Sequence, residues 1–240
     1  MKQQLSFCLL MPTLNEEIGL REILPKIDRS LFNEIIVVDG NSTDGTAKYC
    51  LDQGLTVLQQ PGKGVPDAEE YGFLNSKSDV IITFTPDGNS LPELLPLVCE
   101  KMKDGNDMVI VSRYADGAKS LDDDFFTAIG NWAFTCAVNL LFKSKYTDVL
   151  VGYRAYTRNA VLKMRLVGME KENFLRKKYY LINSWETGSS IRAAVLNLKV
   201  TEISGDEPAR LGGVRKMSII NNGLGTLLQI IIDFAFFKHI

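Results

Sequence analysis

The sequence predicts an α/β protein with a mostly parallel sheet covered by helices, and three observations predict it. Short, continuously apolar runs recur through the first half, each run stops at turn residues, and each is followed by a stretch of helical spacing. Strands that are apolar at every position are buried on both faces, which a parallel sheet between helical layers provides.

The first run, LSFCLLMPT, ends at Asn15-Glu16-Glu17. It follows Lys2 as a targeting segment would, but it is short, contains Pro12 and lacks a small-residue cleavage site, so it reads as the first strand. EEIGLREILPKIDRS then has the spacing of a helix, with acids at its start. EIIVVDG, DVIITFTPDG and DMVIVSRY are the next strands of the same kind, and QGLTVLQQ is a shorter candidate. Between them GTAKYCLDQG, DAEEYGFLNSK and LPELLPLVCEKMKDG read as helices, with Lys or Gly near their ends. After about residue 115 the pattern changes to an acidic loop (DGAKSLDDDF), an apolar helix (FTAIGNWAFTCAVNLLF), a further helix (SWETGSSIRAAVLNL), a strand (KVTEIS) and a basic, glycine-bearing loop (GDEPARLGGVRKMS). The expected organisation is one domain over residues 1–217 and an apolar C-terminal helix over 218–240.

A formal net charge of −2 gives no basic excess for nucleic acid. Cys8, Cys50, Cys99 and Cys136 form no CxxC pair, so neither a zinc site nor a disulfide framework is expected, and a reducing compartment fits. No stretch reads as the roughly 18 consecutive apolar residues of a membrane span; the nearest, residues 227–237, is interrupted by Asp233. The expected location is cytoplasmic, or peripheral at the inner face of a membrane. The last helix is more apolar than a solvated one, and its face suits a second copy or a membrane surface.

In an open α/β sheet the loops after the strands form the ligand crevice. Here those loops are Pro12–Glu17, Val37–Thr46 and the stretch around Asp87. Asp39 ends an apolar strand and can accept hydrogen bonds from a base or ribose, while the residues after it also read as a turn and helix cap. PGKG sets Lys63 between glycines, within reach of a diphosphate, and fits neither the triphosphate loop nor the dinucleotide fingerprint. Thr85-Pro86-Asp87-Gly88-Asn89-Ser90 carries one carboxylate where hard cations usually take more.

The succession MPTLNEE, EIIVVDGNSTDGT, PGKG, TPDGNSLPE, VSRY, DVLVGYRAY resembles the family 2 glycosyltransferases of the GT-A fold, over roughly residues 5–218. It is most similar to their dolichyl- and polyprenyl-phosphate sugar transferase branch. The resemblance implies a nucleotide-sugar donor with Pro12, Leu14 and Glu16 at the base pocket, Asp39 on the base or ribose, and Lys63 near the phosphates. It implies that Asp87 stands as the second acid of a D-x-D element, contacting a divalent cation (Mg²⁺ or Mn²⁺), with Asn89 as a further ligand. Arg113, Asp148 and Arg154 match the arginine of GSRY and the residues flanking an SGFRA turn, and Arg210, Gly213 and Lys216 match a late basic loop that closes over phosphate.

The sequence also departs from that pattern. Thr85 replaces the first acid of D-x-D, Gly40 the second acid of VDD, and Leu14 an aromatic residue, while DVLVGYRAY lacks the family's Pro and Ser. A cation held by Asp87 and Asn89 would then depend on donor phosphates for its remaining ligands; the rival is a metal-independent site served by Lys63, Arg210, Arg215 and Lys216. A polyprenyl phosphate acceptor is already anionic and needs no general base, whereas a glycan hydroxyl does, and Glu186, at a helix start, is the candidate for that role or a helix-dipole partner. The catalytic candidates are therefore Asp87, Asp148, Arg154 and Glu186. The expected reaction is an inverting glycosyl transfer to a polyprenyl phosphate, toward which the basic ARLGGVRK loop tips the choice, with transfer to a hydroxyl of a cell-surface glycan, or a nucleotide-sugar binding protein without turnover, as the alternatives.

Overall fold

The computed structural model of the protein describes residues 5–168, 184–211 and 219–237. Its strands are β1 (Phe7–Thr13), β2 (Glu34–Asp39), β3 (Thr56–Gln59), β4 (Val80–Thr83), β5 (Met108–Ser112), β6 (Arg154–Thr157) and β7 (Val200–Ser204). They form one sheet in the order β3-β2-β1-β4-β6-β5-β7. Every pairing is parallel except those of β6, which runs antiparallel to both β4 and β5.

The predicted strands are where the apolar runs placed them, and β1, β4 and β5 are buried almost throughout. β6 was not anticipated. Its sequence, RAYT, has no apolar run: Arg154 is buried there, with its guanidinium donating to the Val151 carbonyl and to the hydroxyls of Ser189 and Ser190. Its direction matters to the site. Because β6 is antiparallel, it begins at the edge where its neighbours end (Thr83 pairs with Arg154), so the loop Val149–Tyr153 joins the other strand-end loops.

The helices are α1 (Glu17–Ile23), α2 (Thr46–Asp52), α3 (Val65–Asn75), α4 (Leu95–Lys103), α5 (Phe125–Phe142), α6 (Arg158–Lys163), α7 (Thr187–Val195) and α8 (Ile219–Ile232). The main core lies between the sheet and its helices, with Leu9, Leu10, Ile81, Phe84, Ile110 and Trp185 among the fully buried side chains. Close packing fixes α3 on β1: a Cβ at Gly72 would fall 2.1 Å from Leu10 Cδ1. A second, smaller core joins α5, α7 and α8 through Val138, Phe142, Val149, Ile191 and Ile230. Cys8, Cys50 and Cys99 are free and buried, and Cys136 is free and exposed.

The expectation that no segment is long and apolar enough to cross a membrane is corrected. α5 (18 residues) and the helix Ile219–Phe237 (19 residues) both reach that length at a mean hydropathy of 1.4, and little of either is buried. Asp233 does not break the second one, because it faces inward: Arg192 of α7 pairs with it at 3.1 Å and Gln229 Nε2 donates to it at 2.7 Å. In α5 the polar residues recur every fourth position, and Asn131 and Asn139 are spent on the protein, bonding Asp123 (2.8 Å) and the Tyr146 carbonyl (2.8 Å). Phe125, Phe126, Trp132 and Leu140 are left facing outward.

Candidate functional site

The registers Thr13–Asp39 and Asp39–Gln59 bring the ends of β1, β2 and β3 level. Their loops are then stitched together by side chains. Asn15 Oδ1 accepts from the Thr43 amide (2.7 Å), and Ser42 Oγ accepts from the Asn15 amide (2.8 Å). Thr46 Oγ1 and Asp44 Oδ2 take the amides of Glu16 (2.9 Å) and Glu17 (3.1 Å). Asn15 and Asn41 hold positive φ (51° and 68°), which asparagine tolerates better than other non-glycine residues. The segment NSTDGT is thus a turn and also the clamp that holds the first loop.

These loops open onto a cavity of about 740 Å³. Pro12, Leu14, Glu16, Lys63, Asp87, Asn89, Arg113, Glu186 and Arg210 all line it, as do Phe126, Asn131 and Phe134 of α5 and Ile219, Asn222 and Thr226 of α8. Asp39, 1% exposed, is not among the residues that line the cavity, although Gly40 and Asn41, which follow it, are. Its Oδ2 accepts from the Ser42 amide at 3.0 Å, but its buried Oδ1 has no hydrogen-bond partner. A buried carboxylate oxygen without a donor is costly, and a ligand donor reaching behind Gly40 would remove that cost.

The Asp87 turn is held by close contacts. α1 crosses it at Gly19, where a Cβ would sit 2.2 Å from the Pro86 carbonyl oxygen, and Gly88 takes φ +95° under Leu211. Thr85 Oγ1 bonds Ser90 Oγ at 2.9 Å, so the residue standing for the first acid closes the turn on itself. Asp87 Oδ1 accepts from the Asn89 backbone amide (3.1 Å), and the Asn89 side-chain Oδ1 is buried without a partner among the described residues. Asp87 Oδ2 is held by Arg210 Nη1 at 2.7 Å, and Arg210 Nε reaches Asp122 at 3.3 Å. Among the described residues no three His, Cys, Asp or Glu side chains converge on a metal site. One carboxylate and one unspent amide oxygen still suit a hard cation that arrives with phosphate oxygens and keeps its waters.

Asp148 and Arg154 do not reach the cavity wall. Asp148, fully buried, takes Arg113 in a two-point pair (Nε–Oδ2 2.7 Å, Nη2–Oδ1 3.0 Å) and the amides of Leu150 and Val151. Burial pushes its carboxyl up, but Arg113 and these bonds outweigh that and hold it below the usual carboxylate range. Arg154 donates to the Val151 carbonyl (2.7 Å) and to Ser189 and Ser190. Both side chains therefore shape the Val149–Tyr153 loop from behind. Arg113 faces the cavity but is already paired, with Glu207 at 3.3 Å as well as Asp148. Gly213 and Lys216 lie outside the described residues.

Glu186 sits at the start of α7, and burial raises its carboxyl above the ordinary value. Behind it is Glu69 of α3, 2% exposed, which sequence reasoning missed. Burial first, and then the Glu186 charge, push Glu69 well above the carboxylate range, and its Oε2 has no partner. Asp122 was also missed. The signal available for it was the run of three acids at 122–124, which by itself marks only an acidic loop.

The sequence profile described as Glycosyl transferase family 2 matches residues 8–177. A dolichol-phosphate mannosyltransferase of Pyrococcus furiosus is 32% identical over 136 residues, 52% of this chain and 35% of the relative. An undecaprenyl-phosphate mannosyltransferase of Micrococcus luteus is 27% identical over 219 residues, 87% of this chain and 86% of the relative. The chain spans only 35–56% of the length of two archaeal relatives. Among solved structures, glucosyl-3-phosphoglycerate synthase from Mycobacterium tuberculosis, in complex with Mn²⁺, UDP-glucose and phosphoglyceric acid, superposes with a TM-score of 0.72 at 16% identity. It covers 98% of this chain and 81% of that one, and at this identity the match shows the GT-A fold alone.

Proposed function

From the chain's membership in glycosyl transferase family 2, we propose that it transfers a sugar from a nucleotide-sugar donor to a polyprenyl phosphate, with inversion at the anomeric carbon. One observation carries this reading. One cavity joins the strand-end loops, where Asn89 Oδ1 stands without a partner among the described residues, to the walls of two apolar helices, α5 and α8. A nucleotide sugar has donors for the first part, and a lipid phosphate suits the second.

In this reading Pro12, Leu14 and Glu16 edge the base, and Asp39, whose Oδ1 has no partner among the described residues, accepts a hydrogen bond from base or ribose. Lys63, on an exposed glycine-flanked loop, and Arg210 meet the diphosphate. Asp87 and Asn89 would hold a divalent cation, which when bound offsets the charge that develops on the leaving diphosphate. Arg113, neutralised by Asp148 and Glu207, orients the cavity wall, and Lys216 adds charge from the late loop. The acceptor phosphate oxygen attacks without a general base. The relatives that are named as mannosyltransferases to dolichyl and undecaprenyl phosphate support the lipid acceptor.

A second reading, transfer to a hydroxyl of a surface glycan, is favoured by Glu186. It lines the same cavity, and its raised carboxyl is better matched to general-base work than an ordinary glutamate. The test is a transfer assay in detergent, with UDP-, GDP-, CDP- and dTDP-sugars against a polyprenyl phosphate, each with Mn²⁺ or Mg²⁺ and with EDTA. One donor should yield a sugar-lipid phosphate and free nucleoside diphosphate, and lose the product in EDTA. Glu186→Gln should leave lipid-phosphate transfer within about threefold. A donor that is bound but never turned over would instead identify a binding protein.

A further inference from the structure

We propose that Arg210 is an internal counter-ion for Asp87. Its guanidinium holds the carboxylate oxygen that a divalent cation would take, and Asp122 retains the guanidinium when Asp87 is released. The inference rests on the reading of Asp87 and Asn89 as the cation's residues, and it adds a contact that must be exchanged before they can act.

The contact is specific. Arg210 Nη1 lies 2.7 Å from Asp87 Oδ2, a charge-assisted bond at its ordinary short length. The other carboxylate oxygen already accepts from the Asn89 amide, so Oδ2 is the oxygen a cation would need, and Arg210 is on it. A guanidinium and a hard cation compete for the same charge. The carboxylate is nearly buried (7% exposed), which strengthens whichever partner it holds, whereas Arg210 is 26% exposed and has room to turn.

Two further observations show how the exchange would proceed. The backbone after Arg210 is pinned to the turn: the Leu211 amide donates to the Asp87 carbonyl at 2.7 Å, and a Cβ at Gly88 would meet Leu211 Cγ at 2.6 Å. The exchange is therefore a movement of one side chain and not of the segment. Arg210 Nε also contacts Asp122 Oδ2 at 3.3 Å, so the guanidinium bridges two acids and keeps one when it gives up the other. Asp122 is a positioning residue, 88 positions away in sequence and brought to the cavity wall by the loop before α5. A diphosphate arriving with its cation supplies both halves of the exchange, the cation for Asp87 and anionic oxygens for Arg210. The two should therefore bind with positive coupling.

The experiment measures Mn²⁺ binding to the full chain without nucleotide, by the loss of the free-ion electron paramagnetic resonance signal. Arg210→Gln should bind Mn²⁺ at least about tenfold more tightly than the wild type, an effect of ordinary size for one charge-assisted contact. Lys63→Gln removes an equal charge from the same cavity without touching Asp87, and should change Mn²⁺ affinity by no more than about twofold. The gain should vanish in R210Q/D87N. If R210Q and K63Q behave alike, or if the gain persists without the Asp87 carboxylate, the proposal is overturned. In the wild-type chain, the Arg210 Nε–H resonance, assigned with R210K, should shift as Mg²⁺ saturates the site, and an unmoved resonance overturns the proposal equally. Mn²⁺ alone is the probe, so a chain that transfers sugar yet shows no R210Q gain loses only this inference. A chain that gains Mn²⁺ affinity but transfers from no donor loses the functional reading instead.

Discussion

Glu69 is a carboxylic acid in the core, and its position has a measurable consequence. In the unfolded chain it titrates near 4.5, and in the folded chain burial and then the Glu186 charge move it well above that. Between the two values the unfolded chain has lost the proton that the folded chain keeps, so Glu69 costs progressively more stability as pH rises through that window. Glu69→Gln cannot ionise, and should therefore gain on the wild type as pH rises above the ordinary carboxylate range. In a domain of this size each kcal/mol appears as about 2–4 °C in Tm. Thermal denaturation followed by circular dichroism at several pH values checks this; a Tm difference constant with pH would show that Glu69 ionises as freely folded as unfolded. The sequence could not have disclosed this residue. DAEEYGF reads as a helix start with solvated acids, and only the packing of α3 on β1 and β2 turns both Glu69 and Glu70 inward. The positions of Asp39 and Asp87 were legible because the first ends an apolar strand and the second lies in the turn that follows one. Asp148 and Arg154 were legible as a motif but not as buried supports, since the same letters serve a cavity wall or the layer behind it.

The order of strands and helices in the first half followed from apolar runs and turn residues, and the structure keeps it. β6 escaped because its strand is recognised by its neighbours, β4 and β5, and not by its own composition. Close approaches between elements were equally invisible, and the one between α1 and the Asp87 turn is the most consequential. A Cβ at Gly19 would fall 2.2 Å from the Pro86 carbonyl oxygen, a backbone atom that cannot rotate away. Gly19→Ala should destabilise the fold by about 1–3 kcal/mol, as overpacking usually does, and should weaken cation-dependent donor binding by moving Asp87. Gly130→Ala is the control. Among the described residues nothing lies within 4 Å of its added methyl, and it sits in α5 without a positive φ, so stability should be unchanged or slightly higher. Urea denaturation of both variants, with calorimetry of donor binding, separates the outcomes. A Gly19→Ala chain as stable as the wild type would mean that α1 is free to retreat, and Asp87 would then owe nothing to it.

For the molecule as a whole, the distribution of apolar surface predicts a docking face. α5 and α8 share a small core through Val138, Phe142 and Ile230, and the Arg192–Asp233 pair ties the end of the second helix to α7. With Asn131, Asn139, Gln229 and Asp233 bonded to the protein, α5, α8 and the helical segment Asp233–Phe237 that continues α8 present Phe125, Phe126, Trp132, Leu140, Ile220 and Phe236 to the outside. Scattered exposed apolar residues are ordinary, but a concentration of large ones on two adjoining helices is an interaction surface. Both helices also line the cavity, so a lipid bilayer against this face would deliver a prenyl chain where its phosphate is needed. The net charge of −2 offers no attraction to anionic lipid, and attachment should therefore rest on apolar insertion. Flotation with neutral phosphatidylcholine vesicles should recover the protein, and 0.5 M salt should change that little, because Debye screening acts on charges and not on apolar contacts. Replacing Trp132, Leu140 and Phe236 together by Ser removes three outward side chains, each worth roughly 1–2 kcal/mol on insertion. Vesicle binding should fall by well over about tenfold with little change in Tm, since none of the three is buried. If the face is instead covered by a second copy, the triple variant will shift a concentration-dependent sedimentation coefficient toward the monomer while its vesicle recovery stays at the wild-type level. Transfer to a short-chain, water-soluble prenyl phosphate should survive the triple substitution, because the residues that meet the donor are untouched. The loss should appear only when the acceptor is presented in a bilayer.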